Sequence, residues 1–120
     1  MGDELRLGSV ESRFAEIIWK NEPLGSGELV KICESELKWK KSTTYTVLKK
    51  LCEKGIFKNE NGIVVSLLNK EEYYAIQSEK FVDEAFEGSF PAFVAAFTSR
   101  KELTEEDIAS IKKMIDSYGK

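Results

Sequence analysis

Lys40-Lys41-Ser42-Thr43-Thr44-Tyr45-Thr46-Val47-Leu48-Lys49-Lys50-Leu51-Cys52-Glu53-Lys54-Gly55 reads as a helix with two incompatible faces. Thr44, Val47, Leu48 and Leu51 recur at helical spacing and predict a side packed on a core. Ser42, Tyr45, Thr46, Lys49 and Glu53 lie opposite, with Thr43 and Lys50 on the flanks. Short hydroxyls, an aromatic ring and lysines on an exposed helix suit the base edges and phosphates of a nucleic-acid groove. Gly55 predicts the helix stop.

Downstream, Ile56-Phe57-Lys58 and Ile63-Val64-Val65-Ser66-Leu67 are two β-prone runs separated by Asn59-Glu60-Asn61-Gly62. Asn-Gly between such runs predicts a tight hairpin. Upstream, Ser26 is expected to cap a helix whose apolar side is Leu29, Val30, Ile32 and Cys33. Trp39 is expected to plug the turn that follows. Before it, Leu7, Val10, Phe14, Ile17 and Ile18 form one face of a first helix, with Ser9 as its expected N-cap. Asn21-Glu22-Pro23 ends that helix, and Pro23-Leu24-Gly25 is an extended link. Three helices followed by a hairpin is the order of a winged helix-turn-helix.

The net charge is −3, which on its face argues against a nucleic-acid partner. The distribution reverses that argument. Residues 38–58 hold seven lysines against Glu53 alone, whereas residues 70–120 hold seven basic and eleven acidic groups. Exposed charges more than roughly 8 Å apart are largely screened at physiological salt, so a duplex responds to the local patch. Lys40, Lys41, Lys49, Lys50, Lys54 and Lys58 are therefore candidate phosphate partners, as is the start of the second helix near Ser26. Ser42, Thr43, Tyr45 and Thr46, in the first half of the third helix, are the candidate base readers.

The chain has no histidine, no glycine-rich phosphate loop and no metal-ligand spacing. An enzyme is not expected, nor a cofactor or a bound metal. Cys33 and Cys52 form no CxxC pair and read as small reduced core residues. The start Met1-Gly2-Asp3-Glu4 has no signal-peptide character and no apolar run reaches membrane-spanning length, so a cytoplasmic protein with no membrane insertion is expected.

Five of the seven phenylalanines lie in residues 81–97. Asn69 opens a long helix to Phe86, on which Tyr73, Ile76, Phe81, Val82, Ala85 and Phe86 fall roughly on one side. Gly88-Ser89 breaks it, and a short apolar helix carrying Phe93, Val94 and Phe97 follows. Thr104 caps a last helix with an Ile108, Ile111, Met114 and Ile115 stripe. Such helices either fold back on the first seventy residues or pack against a second copy. The second arrangement is favoured, because an exposed surface of this kind would aggregate. The expected organisation is a mostly α protein with a small β-hairpin: residues 1–69 a winged-helix domain, residues 70–120 a helical dimerisation domain.

The chain also resembles the BlaI/MecI penicillinase-repressor family, from about Leu7 to Met114. Glu11 with Ile17-Ile18-Trp19 is similar to the family's first helix, and Thr43 through Gly55, with Thr46, Leu48, Leu51 and Lys54-Gly55, to its recognition helix. Leu67-Leu68-Asn69-Lys70-Glu71-Glu72-Tyr73 resembles its strand-to-helix junction, and Phe86-Glu87-Gly88-Ser89 with Phe93-Val94-Ala95-Ala96-Phe97 its dimerisation segment. The resemblance implies a homodimeric repressor that binds an inverted-repeat operator in double-stranded DNA and controls antibiotic-resistance genes. In one branch it also implies a membrane sensor-protease system that cuts the repressor at an Asn-Phe bond. That bond aligns with Ala96 and Phe97, so the Asn is replaced here. Ser12 stands where the family often has Trp, and Asn59-Glu60-Asn61 makes a wing with little positive charge. The copper-responsive branch's cysteine-rich tail has no counterpart in Asp116-Ser117-Tyr118-Gly119-Lys120.

Two alternatives accompany this reading. One is a winged-helix module that binds protein, which an acidic or apolar third helix would indicate. The other is a repressor of the same fold that answers a different signal.

Overall fold

The computed structural model describes residues 5–118; residues 1–4, read above for signal-peptide character, and the last two residues of the tail lie outside that range. The order is α1 (Ser9–Asn21), β1 (Leu24–Gly25), α2 (Ser26–Leu37), α3 (Lys41–Glu53), β2 (Phe57–Glu60), β3 (Ile63–Ser66), α4 (Lys70–Phe86), α5 (Phe90–Arg100) and α6 (Glu105–Ser117). Two compact units divide the chain, Met1–Lys80 and Phe81–Lys120. The division falls inside α4, later than the expected 69/70 boundary.

In the first unit the apolar faces of α1, α2 and α3 meet over the sheet. Phe14, Ile18, Leu29, Cys33, Leu51, Ile56, Phe57 and Val64 are completely enclosed. Burying a large apolar side chain is worth about 1.5–3 kcal/mol, so this cluster dominates the unit's stability. Trp39 stacks on Phe14 at 5.4 Å between ring centroids, which fills the α2–α3 turn as expected. Val10 departs from expectation. It sits in the first turn of α1 and is half exposed, so the buried face begins at Phe14.

The starts of α1 and α2 are each displaced by one residue from the expected caps. Gly8, not Ser9, is the N-cap of α1, and Gly25, not Ser26, that of α2. At both places a carboxylate three residues on accepts from the N-cap amide, and no N-cap side chain takes part. Glu11 Oε1 accepts from the Gly8 N–H at 3.1 Å and Glu28 Oε1 from the Gly25 N–H at 3.4 Å.

The sheet is antiparallel with order β1-β3-β2. The link at Leu24-Gly25 is extended, as expected, and also pairs with Ile63-Val64. Asn61 and Gly62 both have positive φ, +54° and +81°, which makes the hairpin turn type I′. The sheet is fastened to α1 by a contact that periodicity cannot reveal. The Glu22 carboxylate accepts from both the Ser66 N–H and the Ser66 hydroxyl at 2.8 Å.

Tyr73 explains the late unit boundary. It was expected in a dimer interface, but it is only 2 % exposed, packs on Trp19 at 5.6 Å and donates its hydroxyl to the Leu5 carbonyl at 2.8 Å. Tyr73 is thus spent on the winged-helix core, while Lys70, Glu71, Glu72, Tyr74 and Ala75 around it stay exposed. Trp19 Nε1 donates to the Leu68 carbonyl at 3.0 Å, and Lys70 pairs with Glu16 at 2.7 Å, which fix the same junction. Asn69 and Glu72 cap α4 reciprocally, each side chain accepting from the other's amide.

The second unit has a different character. Ser89 caps α5 by accepting from the Ala92 N–H, and Thr104 and Asp107 cap α6 reciprocally. The element boundaries are therefore well encoded. Yet neither α5 nor α6 has a buried residue. The phenylalanines gather around Phe93, with Phe86, Phe90, Phe81 and Phe97 between 5.8 and 6.2 Å away. Even so, Phe81, Phe90 and Phe97 are about half exposed.

Candidate nucleic-acid interface

The helix-turn-helix is α2 and α3, joined through Lys38 in a left-handed conformation (φ +58°). Burial of Thr44, Leu48 and Leu51 sets the rotation of α3. That rotation turns Ser42, Thr43, Thr46 and Lys49 outward, all exposed, along with Lys40 and Lys41 at the start of the helix. Thr46 Oγ1 donates to the Ser42 carbonyl at 2.9 Å. Its proton is used within the helix, so the oxygen lone pairs and the methyl face outward.

Tyr45 and Ser26 are brought together. The Tyr45 hydroxyl donates to Ser26 Oγ at 3.2 Å, and the ring is half buried. The Ser26 amide, expected to be open to a phosphate, instead donates to the Gly62 carbonyl in the wing at 2.8 Å. Ser26 keeps only its hydroxyl proton for an outside acceptor. The physical reason is that Gly25 and Ser26 lie at the sheet edge, where an amide pairs across to the neighbouring strand.

The lysines separate into two sets. Lys50 Nζ lies 2.8 Å from Glu11, and this contact, with the Gly8 amide, holds the Glu11 carboxyl below its usual range. Lys54 Nζ donates to the Arg6 carbonyl at 2.8 Å. Both thus reach toward the N-terminal segment and are held within the chain. Their helical positions alone indicated exposure; an acidic residue in the first turn of α1 was the only sign of the Lys50 pairing. Lys40, Lys41 and Lys49 have no ion-pair partner among the described residues. Lys58 makes only a loose 3.5 Å contact with Glu60, both side chains being well exposed.

Thr44 is the one buried polar side chain among the described residues, and its Oγ1 lies beside the Cys33 thiol with no partner in hydrogen-bonding geometry. Burial pushes both the Cys33 and Cys52 thiols up. No group of three or more His, Cys, Asp or Glu among the described residues is placed to hold a metal ion, and no described helix is long and apolar enough to cross a membrane.

Ile76, half buried, lies on the part of α4 that belongs to the first unit; in the second unit α4 carries Val82, also half buried, with Ala85 and Phe86, and α5 contributes Phe93, Val94 and Phe97. Phe86, Phe93 and Val94 are half buried, whereas Ala85 and Phe97 are exposed. Phe90, Leu103 and Ile111 were absent from the expected interface. With Phe93, Val94 and Phe97 they line an apolar hollow of about 190 Å³ between α5 and α6. The Ile108–Ile115 stripe was the available sign of it. The Ala96–Phe97 bond lies inside α5.

A helix-turn-helix whose second helix turns hydroxyls and lysines outward, followed by a β-hairpin, defines a winged-helix protein of the nucleic-acid-binding type. The family model of the penicillinase repressor matches residues 7–117. The penicillinase repressor of Bacillus licheniformis is 22% identical over 117 residues, spanning 94% of this chain and 91% of that protein. The chain belongs to the penicillinase repressor family, a family of DNA-binding transcriptional repressors and not an enzyme class.

Proposed function

We propose that this chain is a cytoplasmic, homodimeric repressor that occupies an inverted-repeat operator and blocks transcription by steric exclusion. The outer face of α3 carries the reading: Ser42, Thr43 and Thr46 are exposed together, with Lys40, Lys41 and Lys49 around them and no acidic residue before Glu53. Thr46 suits a base that offers an amino hydrogen or a thymine methyl, since its own proton is engaged by Ser42. Tyr45 offers a ring edge, its hydroxyl being tied to Ser26. Lys40, Lys41, Lys49 and Lys58 act as phosphate partners. Lys50 and Lys54 contribute less, because each must first leave an internal partner. Affinity then falls by roughly 0.9 log unit per phosphate contact for each tenfold rise in salt.

The two subunits join through the aromatic surface of the second unit, where Phe81, Phe90 and Phe97 stand about half exposed. A signal other than cleavage at Ala96–Phe97 fits this chain better, since the Asn is replaced and the bond is helical. Antibiotic-resistance genes are the targets that the family suggests. Selection of bound duplexes from a random pool by the purified protein tests the reading. An inverted repeat is expected; recovery of unrelated sequences overturns it. Thr46→Ala is expected to cost about 1–3 kcal/mol on the selected duplex and nothing on random DNA. Equal losses on both remove Thr46 as a reader.

A further inference from the structure

Between α3 and the wing lies a cleft of about 540 Å³, lined by Tyr45, Leu48, Lys49 and Cys52 from the helix and by Phe57, Lys58, Asn59 and Leu67 from the wing side. Its volume is within the range of small-molecule sites, roughly 300–1,000 Å³. The two kinds of lining side chain are sorted by position. Leu48 and Phe57 are buried at the bottom, Cys52 is half buried, and Leu67 is 52% exposed along the apolar wall. Lys49 and Lys58 are the cationic lining residues, both exposed. Lys49 has no ion-pair partner among the described residues, and the Lys58–Glu60 contact is too long and too exposed to hold Lys58 back.

We propose that this cleft is a binding site for a small apolar carboxylate, whose hydrocarbon body lies on Leu48, Cys52, Phe57 and Leu67 and whose anionic end pairs with Lys49 and Lys58. Charge complementarity selects the occupant. A bare phosphate gains nothing from the apolar wall, and a neutral hydrocarbon leaves both ammonium groups without a counter-charge. Solvent-exposed lysine–carboxylate pairs are individually weak, so most of the affinity comes from the apolar body and the charges decide between ligands. The consequence for regulation rests on the DNA-binding reading above: Lys49 on the outer face of α3 and Lys58 in the wing are both phosphate partners there, so an occupied cleft withdraws two cations from the duplex and releases it.

Cys52 supplies a local reporter. Alkylation of the full-length protein by iodoacetamide at mildly alkaline pH, mapped by mass spectrometry, reads the cleft at Cys52, with the fully buried Cys33 as internal reference. Decanoate below its micellar concentration is the probe. It is expected to slow Cys52 alkylation at least fivefold, and Lys49→Ala/Lys58→Ala is expected to raise the decanoate concentration needed about tenfold with an unchanged melting temperature. Equal protection by decan-1-ol overturns the charge assignment, and equal protection by inorganic phosphate overturns the apolar one. Protection that follows protein concentration without any probe gives the cleft to a second copy of the chain instead. No protection by decanoate, or protection untouched by the double substitution, also overturns the proposal. Duplex binding is measured on the same samples: a protein that binds no duplex while decanoate shields Cys52 removes the DNA reading and leaves the site standing.

Discussion

The two units spend their apolar residues in opposite ways. In the first, thirteen hydrophobic side chains from Phe14 to Tyr73 are buried, and even Trp19 and Tyr73 have carbonyl partners for their polar ends. In the second, no described residue of α5 or α6 is buried, although Phe90, Phe93, Val94 and Phe97 make α5 the most apolar helix by composition. Both units have properly capped helices. Capping and periodicity therefore do not distinguish a self-sufficient core from an apolar surface left half exposed; only the closure of three or more elements around the same side chains does.

The sharpest way to break this comparison is to truncate one aromatic in each unit. Phe14→Ala removes a fully enclosed ring together with its stacking on Trp39. It is expected to cost about 3–5 kcal/mol in urea unfolding at every protein concentration. Phe93→Glu is expected to leave the first unit's unfolding transition in place and to weaken self-association about a hundredfold, roughly 2.7 kcal/mol, in sedimentation equilibrium. A Phe93→Glu protein that self-associates like the parent assigns the aromatic surface a role inside one chain. A smaller effect is expected at the wing. Gly62→Ala forces an alanine to φ +81°, where its Cβ meets nothing closer than Ser26 Oγ at 3.9 Å, so the penalty is conformational and not a clash. About 1–2 kcal/mol of stability is the expected loss.

The smallest effect concerns pH. The Glu11 carboxyl is held below its usual value by Lys50 and by the Gly8 amide. A lowered folded-state pKa means a contribution that is present above the unfolded-state pKa and is lost as pH falls through the folded-state value. Glu11→Gln is expected to reduce stability by no more than about 1 kcal/mol at neutral pH and to flatten the acid limb of the stability profile. A profile identical to that of the parent assigns the Lys50–Glu11 contact no net worth.

Much of the fold is legible in residue order. Apolar spacing in the segment from Thr44 to Leu51, the Asn61-Gly62 pair, and the Asn69, Ser89 and Thr104 caps each specify local geometry through interactions within a few residues. These local rules were enough to anticipate three helices and a hairpin followed by three more helices, and to point the hydroxyls and lysines of α3 outward. Their limit is equally clear at Ser26, Lys50, Lys54 and Tyr73. Each was expected to face an outside partner, and each has a polar atom bonded to a residue well removed in sequence: Gly62, Glu11, Arg6 and Leu5.

Periodicity and capping act over one or two turns, and so residue order alone decided which segments are helix or strand and which face of each is apolar. Which polar ends are already satisfied, and whether an apolar face is closed by its own chain or left open, depends on segments that the backbone brings together from tens of residues away. The folded arrangement alone settled that Tyr73 of α4 is part of the winged-helix core and that Phe90 and Phe97 of α5 remain half exposed. It also placed Cys52 beside two lysines in a cleft that no single helix or strand encodes.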